Sequence, residues 1–239
     1  MKKPVIIVPC FNHADAFVSV ADKLSQFKHD VIVVDDGSHP TQSKKIKNIC
    51  KKHKFFYLKN LKNGGKGAAM LTGFQFAIKN GFTHALQIDA DGQHDIYDIP
   101  LFFKIANSHP NDLIIGNPTY DESAPRSRLI GRKITKFWVM VETLNKNMPD
   151  TMCGFRIYPL KLIEPVLKTI KFKRMGFDIE IVVKAFRNGV KIISIPTKVI
   201  YPESGVSHFH AFRDNFYISL LHTYLCCLIP VWLIKRGRR

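Results

Sequence analysis

Asp89 and Asp91 stand two residues apart at the end of an apolar run, Thr83-His84-Ala85-Leu86-Gln87-Ile88, and Gly92 follows them. Side chains at i and i+2 of an extended segment point to the same side. Two carboxylates so placed repel unless something positive sits between them. A hard divalent cation suits that position, because it takes carboxylate, carbonyl and water oxygens. Held by so few protein ligands, it completes its shell with phosphate oxygens. The pattern points to a diphosphate site. An ordinary polar turn fits the same residues, since Asp and Gly are frequent turn formers.

Other stretches carry matching chemistry. Asn63-Gly64-Gly65-Lys66-Gly67 opens a helical pattern that runs to about Lys79. Glycines there would bare backbone N–H groups at a helix N-terminus, which favours an anion, and Lys66 adds charge. The Walker pattern GxxxxGK[ST] is absent, which disfavours a P-loop ATPase. A glycine-rich turn that only starts a helix explains the stretch as well. Arg126, Arg128, Arg132 and Lys133 recur at near-helical spacing. They would form either a solvated basic face or a bidentate clamp on phosphate. Asp178 and Glu180 open an amphipathic helix. Each is a candidate general base, or simply an acid favoured by the helix dipole.

The elements that must position these groups alternate. Pro4–Pro9, Asp30–Asp35, Phe55–Leu58 and Thr83–Ile88 read as short buried strands, with helices at about 14–27, Thr41–Lys52 and up to Lys79. Such alternation with short loops predicts a doubly wound, largely parallel α/β sheet. Ligands bind such sheets at the carboxyl ends of strands. Phe11-Asn12, Asp35-Asp36 and Asp89-Ala90-Asp91 each follow a strand's end. Beyond residue 95 we expect a helix at Ile99–Ala106, a strand at Asp112–Ile115 and a flexible loop at Asn117–Pro125. A strand at Val190–Tyr201 follows, with Pro196 placing part of it at an edge or bulge.

Composition narrows the partners. In 239 residues, 36 Lys+Arg face 19 Asp+Glu, a formal net charge of +17. Such an excess suits a polyanionic partner: nucleic acid, phosphorylated substrate or anionic membrane. The five cysteines lie scattered without a CxxC, which fits reduced thiols rather than disulfides or a zinc site. The apolar run after Met1-Lys2-Lys3 is too short for a signal peptide, so the folded part is expected in the cytoplasm. Phe216–Ile234 is an apolar run free of Asp, Glu, Lys and Arg, interrupted by Pro230 and closed by Lys235-Arg236-Gly237-Arg238-Arg239. An interfacial helix on anionic lipid suits it first, a bilayer span second and a buried packing helix third.

Taken in order, Val8-Pro9-Cys10-Phe11-Asn12, Val33-Val34-Asp35-Asp36-Gly37-Ser38, Asn63–Ala69 and Asp89–His94 resemble the family 2 glycosyltransferases of GT-A fold. Asp150–Arg156 and Phe177–Glu180 are similar to later motifs of the polyprenyl-phosphate branch, whose type is dolichol-phosphate mannose synthase. The likeness covers about residues 4–200. It implies a GT-A domain over residues 1–206, with a Rossmann-like, mostly parallel mixed sheet flanked by helices. A membrane-associating helix would occupy 207–239. Pro9, Phe11, Asn12, Asp35 and Asp36 would hold the nucleotide, with Asp36 bonding the base and Lys66 and Asp89 near the diphosphate. Asp89, Asp91 and Gln93 would hold Mg²⁺ or Mn²⁺. Arg126, Arg128 and Arg156 would contact phosphate or acceptor, and Asp178 or Glu180 would act as base if the acceptor is a hydroxyl.

The resemblance implies inverting transfer from a UDP-, GDP- or dTDP-linked sugar to a lipid or polyprenyl-phosphate acceptor. The enzyme would sit peripherally on an anionic membrane, on the inner face. Where the branch commonly carries Gly-Ser-Arg or Gly-Thr-Arg, this chain has Gly116-Asn117-Pro118, so one phosphate-binding arginine is missing. The stretch Tyr201–Phe209 is similar to short bacterial enzymes of lipid biosynthesis. Two other classes compete. A sugar-phosphate nucleotidyltransferase would place a glycine-rich, arginine-bearing loop after the first strand, where Cys10-Phe11-Asn12-His13 stands. A basic nucleic-acid-binding module fits the charge, yet its cations are dispersed and no RRM, KH or zinc pattern occurs, so no nucleic-acid partner is expected.

Overall fold

The structure is a computed structural model that describes residues 3–120, 126–199 and 211–237. Its strands are β1 (Pro4–Cys10), β2 (Asp30–Asp35), β3 (Phe56–Lys59), β4 (His84–Gln87), β5 (Leu113–Tyr120), β6 (Arg156–Pro159) and β7 (Ile192–Val199). They form one sheet in the order β3-β2-β1-β4-β6-β5-β7. Only β6 runs against its neighbours, β4 and β5; the other pairings are parallel. The chain builds β2 and β3 on one side of β1, then crosses back to place β4 on the other. That reversal opens a crevice at the carboxyl end of β1.

Both faces of the sheet are covered, as strands with near-continuous β-branched runs require. Ile6, Val8, Val31, Val33 and Leu86 pack under α1 (Ala14–Leu24), α2 (Pro40–His53) and α4 (Ile99–Ser108). Val5, Ile7, Ile32, Val34 and Ala85 face α3 (Lys66–Lys79), α5 (Arg126–Thr143), α6 (Leu160–Leu167) and α7 (Phe177–Arg187). Alternate residues of each strand thus serve opposite faces, following the two-residue side-chain period. Burial of a large anchor such as Phe17 or Phe74, both 0 % exposed, contributes about 1.5–3 kcal/mol.

The expected loop at 117–125 is a strand for its first four residues. β5 continues through Asn117, Pro118 and Thr119 to Tyr120, in parallel register with Pro196–Val199 of β7. Asn and Pro favour turns locally, but β7 supplies a partner. β7 is the edge strand, where proline is tolerated. Residues 121–125 and the expected domain boundary at 206/207 lie outside the described residues. At the C-terminus, α8 (Ala211–Cys227) and α9 (Ile229–Arg236) follow one another. Ile218, Leu221 and Leu225 of α8 join the core beside α7. One face of the tail is therefore core, the reading ranked last from sequence.

Candidate active site

The crevice is built from loops that clasp one another. Asn12 follows β1 with a left-handed backbone, φ 54°, which Asn tolerates better than most residues. Its N–H donates to Ser38 Oγ at 2.9 Å, and its Oδ1 accepts from the His39 N–H at 2.9 Å. The turn after β1 is thereby fixed to the turn after β2. Asp35 is fully buried; it accepts from the Ser38 N–H (2.9 Å), Ser43 Oγ (2.5 Å) and Tyr57 Oη (2.8 Å). Burial opposes its ionised form, yet those donors outweigh it and hold the carboxyl below its ordinary range. Asp35 thus shapes the turn and presents no open oxygen.

Asp36 reaches the glycine loop. Its carboxylate accepts from Asn60 Nδ2 (2.7 Å) and from the N–H groups of Gly64 (3.1 Å) and Gly65 (2.7 Å). Burial nonetheless pushes its carboxyl up. Gly65 has φ 94°, a left-handed conformation only glycine adopts freely, and α3 starts at the next residue. That residue is Lys66. Its Nζ lies 2.8 and 2.9 Å from the two oxygens of Asp89 and 2.9 Å from Asp178 Oδ2. A continuous chain of contacts therefore runs from Asp36 through Gly65 and Lys66 to Asp89 and Asp178. Two acids, Asp89 just past β4 and Asp178 of α7, meet at that lysine.

Burial disfavours the charged forms of Lys66 and Asp89, but their mutual attraction wins. The ammonium is pushed up and the Asp89 carboxyl held well below its usual range, with His94 assisting. His94 Nε2 is 3.6 Å from Asp89 Oδ2, while its Nδ1 is buried without a hydrogen-bond partner among the described residues. Asp91 differs: burial first, then the Asp89 charge, push its carboxyl up. Its recorded bond is from the Gln93 N–H, 3.0 Å. Gly154 packs against this cluster. A Cβ there would collide with Asp89 Oδ2 and stand 2.7 Å from Lys66 Nζ, so only glycine leaves room for the pair.

These donors fit a divalent cation of one kind. Among the described residues no group of three or more His, Cys, Asp or Glu forms a ready cage. Asp91, by contrast, is a half-buried carboxylate whose charged form is disfavoured by burial and by the charge of Asp89. Such a pair suits a cation that takes most of its oxygens from a bound phosphate and water. Lys66 supplies the positive charge at Asp89.

The family model described as Glycosyl transferase family 2 matches residues 5–167. The chain belongs to this family. The family 2 glycosyltransferase is 30% identical to an uncharacterised protein of Methanocaldococcus jannaschii, over 85% of this chain and 91% of the relative. It is 26% identical to a dolichyl-phosphate beta-glucosyltransferase of Dictyostelium discoideum, over 96% and 76%. In fold it is similar to glucosyl-3-phosphoglycerate synthase of Mycobacterium tuberculosis, a structure in complex with Mn²⁺ and UDP-glucose. That superposition has TM-score 0.66, 14% identity and coverage of 91% and 75%. The GT-A fold and the likeness to the polyprenyl-phosphate branch expected from the motifs are both borne out. A nucleotidyltransferase and a nucleic-acid-binding module are thereby set aside.

In this glycosyltransferase the two acids opening α7 have different jobs. Asp178 joins Lys66 and also receives Gln87 Nε2 at 3.2 Å. Glu180 is fully buried and turned away, as helix residues two apart do not share a face. Its oxygens accept from the Lys171 and Phe172 N–H groups and from Lys184 Nζ at 2.6 Å. The expectation of Glu180 as base is corrected: the carboxylate ties a loop to α7. Glu180→Gln should lower the unfolding free energy by about 3 kcal/mol, because it leaves Lys184 buried and uncompensated. Denaturant midpoints measure this; a lost kcat with an unchanged midpoint would return Glu180 to the chemistry.

Arg156 is likewise corrected. It is 0 % exposed, and its guanidinium donates to the carbonyls of Cys153 (2.6 Å), Thr151 (2.6 Å) and Asp178 (2.8 Å). It braces the wall behind Asp178 and has no face toward a phosphate. Arg126 heads α5, with its side chain outside the described residues; Arg128 is half-buried on the same helix. Arg132 is held by Asp150 at 2.6 Å. Pro9, Phe11 and Gln93 are half-buried at the crevice's strand ends. Sequence reasoning missed Arg174, exposed beside the glycine loop with Nη1 3.1 Å from Asn63 Oδ1. No local motif marks it, because it reaches the loop from 111 residues away.

Proposed function

We propose that this glycosyltransferase moves a sugar, with inversion, from a nucleoside-diphosphate donor to the phosphate of a membrane-borne polyprenyl lipid. The observation that carries the reading is Lys66 bridging Asp89 and Asp178 at the strand ends, one residue from the loop that Asp36 holds. Pro9, Phe11, Asn12 and Asp36 would line the base and ribose. Lys66 would turn its ammonium toward the diphosphate. Arg128, Arg126 and Arg174 would supply further positive charge for donor or acceptor phosphate. Mg²⁺ or Mn²⁺ at Asp89 and Asp91, with Gln93 beside them, would neutralise charge on the leaving diphosphate.

A lipid phosphate already carries a nucleophilic oxygen, so the reaction needs no strong base. That agrees with Asp178 being ion-paired and Glu180 being buried. The name of the Dictyostelium relative, a dolichyl-phosphate beta-glucosyltransferase, supports the acceptor class, and the Mn²⁺ complex of the fold neighbour supports the cation. The net charge of +17 suits a peripheral place on an anionic inner membrane face. Residues 207–239 would act as an appended helical region.

The test offers UDP-, GDP- and dTDP-linked sugars with a polyprenyl phosphate or the corresponding alcohol. Release of nucleoside diphosphate is followed with Mn²⁺ and after chelation. Transfer to the phosphate alone, abolished by chelator and restored by Mn²⁺, is expected. Equal transfer to the alcohol would require a base and revive Asp178 in that role. Full activity in chelator would remove the cation.

A further inference from the structure

The C-terminal run from Arg213 to Arg236 is long and apolar enough to cross a membrane, with mean hydropathy 1.8 in an 18-residue window within it. Its contacts give it a different job. α8 buries Asp214, Ile218, Leu221, His222 and Leu225, spaced along one face, and exposes Phe216, Tyr217 and Leu220 on the other. The buried face is tied down by polar groups. His222 Nδ1 sits 2.6 Å from Glu142 Oε1 of α5. Arg187 of α7 donates to the carbonyls of Glu142 and Leu225, both at 2.8 Å. Trp232 Nε1 of α9 donates to the Arg187 carbonyl at 3.0 Å. A crossing helix would break all of these and strand a buried carboxylate at Glu142.

α5 is built the same way. It buries Thr135, Val139, Glu142 and Thr143 and exposes Ile130, Ile134, Phe137 and Trp138, the last at 40 %. Positions i, i+4, i+7 and i+8 share one helix face. Trp138 also stacks on His222, ring centroids 6.3 Å apart, so the exposed row of α5 runs up to α8. Exposed aromatic and branched residues in rows mark an interaction surface.

Charge selects the partner. The acids of α5, α8 and α9 are Glu142 and Asp214, 0 % and 3 % exposed. Lys133, Lys136, Lys235 and Arg236 are all exposed. The outer side therefore offers apolar groups and cations with no exposed acid on these helices. A face of this kind suits the headgroup boundary of an anionic bilayer.

We propose that the outward rows of α5, α8 and α9 form one surface that lies flat on anionic lipid, with the tail locked to α5 rather than spanning. The surface stands independently of donor, acceptor and cation, and α5 is as necessary to it as the tail.

The experiment uses the full chain carrying Trp232→Phe, so that Trp138 alone reports. Vesicles of phosphatidylglycerol with phosphatidylcholine, or of phosphatidylcholine alone, are added without donor or acceptor. A blue shift of Trp138 emission is expected with the anionic vesicles and its loss in high salt. Ile134→Glu with Phe137→Glu, both at exposed positions, should weaken vesicle binding at least about tenfold with the tail intact. Lys133→Glu with Lys136→Glu should weaken it on anionic vesicles only.

Undiminished binding by the Ile134→Glu, Phe137→Glu protein would overturn the proposal and leave the tail as sole anchor. Equal binding to both vesicle types would overturn the role of charge. A concentration-dependent dimer that the same pair abolishes would assign the face to a second copy of the chain. Transfer to a short, soluble acceptor phosphate should survive in the Ile134→Glu, Phe137→Glu protein, which separates a failed surface from a failed catalytic reading.

Discussion

Asp89→Asn should lower kcat by about three orders of magnitude at saturating donor and lower the unfolding midpoint as well, by less than Lys66→Met does. The carboxylate has two duties. It holds Lys66 through both oxygens, at 2.8 and 2.9 Å, and it offers the crevice an acid held ionised by that lysine. Asparagine keeps the shape but loses the charge. Negative charge grows on the departing diphosphate as the sugar bond breaks, so a cation held at Asp89 would stabilise the transition state more than the bound donor. Such an interaction appears in kcat rather than only in KM. Stability should fall only in part, because Lys66 loses the Asp89 charge but keeps Asp178 at 2.9 Å. Turnover measured at saturating donor, beside a thermal melt, decides the matter. An unaltered kcat would detach Asp89 from the chemistry and leave it as a turn residue after β4.

Lys66→Met should show a larger loss of stability at neutral pH, one that shrinks on acidification. In the wild-type chain the folded state depresses the Asp89 carboxyl, chiefly through Lys66 once burial is overcome. A depressed carboxyl contributes stability that is present above its unfolded value, about 3.9, and lost as pH falls through the folded value. Without the ammonium, Asp89 remains buried beside Asp91 and Asp178 with His94 as its nearest cation. Its carboxyl then moves up, the folded state takes up a proton more readily, and stability rises as pH falls from about 7 toward 5. The deficit at pH 7 is expected at about 3–5 kcal/mol, the range for removing one partner of a buried pair. Denaturant titrations at the two pH values measure it. A deficit that stays constant with pH would mean that Lys66 acts by packing rather than charge. Transfer should fall as well, by about a hundredfold or more, since the diphosphate loses a positioned donor.

The motif spacings carried most of the site into view before any fold was known. β-branched runs that end in Asn12, Asp36 and Asp89 declare strand tips, and alternating strands and helices bring strand tips to one edge. That much is local: a two-residue period, a turn and a glycine-rich helix start are written in neighbouring residues. β5 was read short for the same reason, because Asn117 and Pro118 signal a turn locally while their partner β7 lies about eighty residues away.

What only the tertiary structure decided is direction. Asp178 and Glu180 are two residues apart on α7, and sequence cannot say which face of the helix the sheet will take. Packing turned Asp178 to Lys66 and gave Glu180 to Lys171, Phe172 and Lys184. Arg156 looked like a phosphate ligand until β6 paired beside β4 and set it opposite Gln87, behind the wall. The tail looked like one apolar segment until α5 and α7 claimed one face of α8. A side chain's chemistry belongs to the sequence, but the environment it faces is set by partners distant along the chain, and those are fixed only when the core closes.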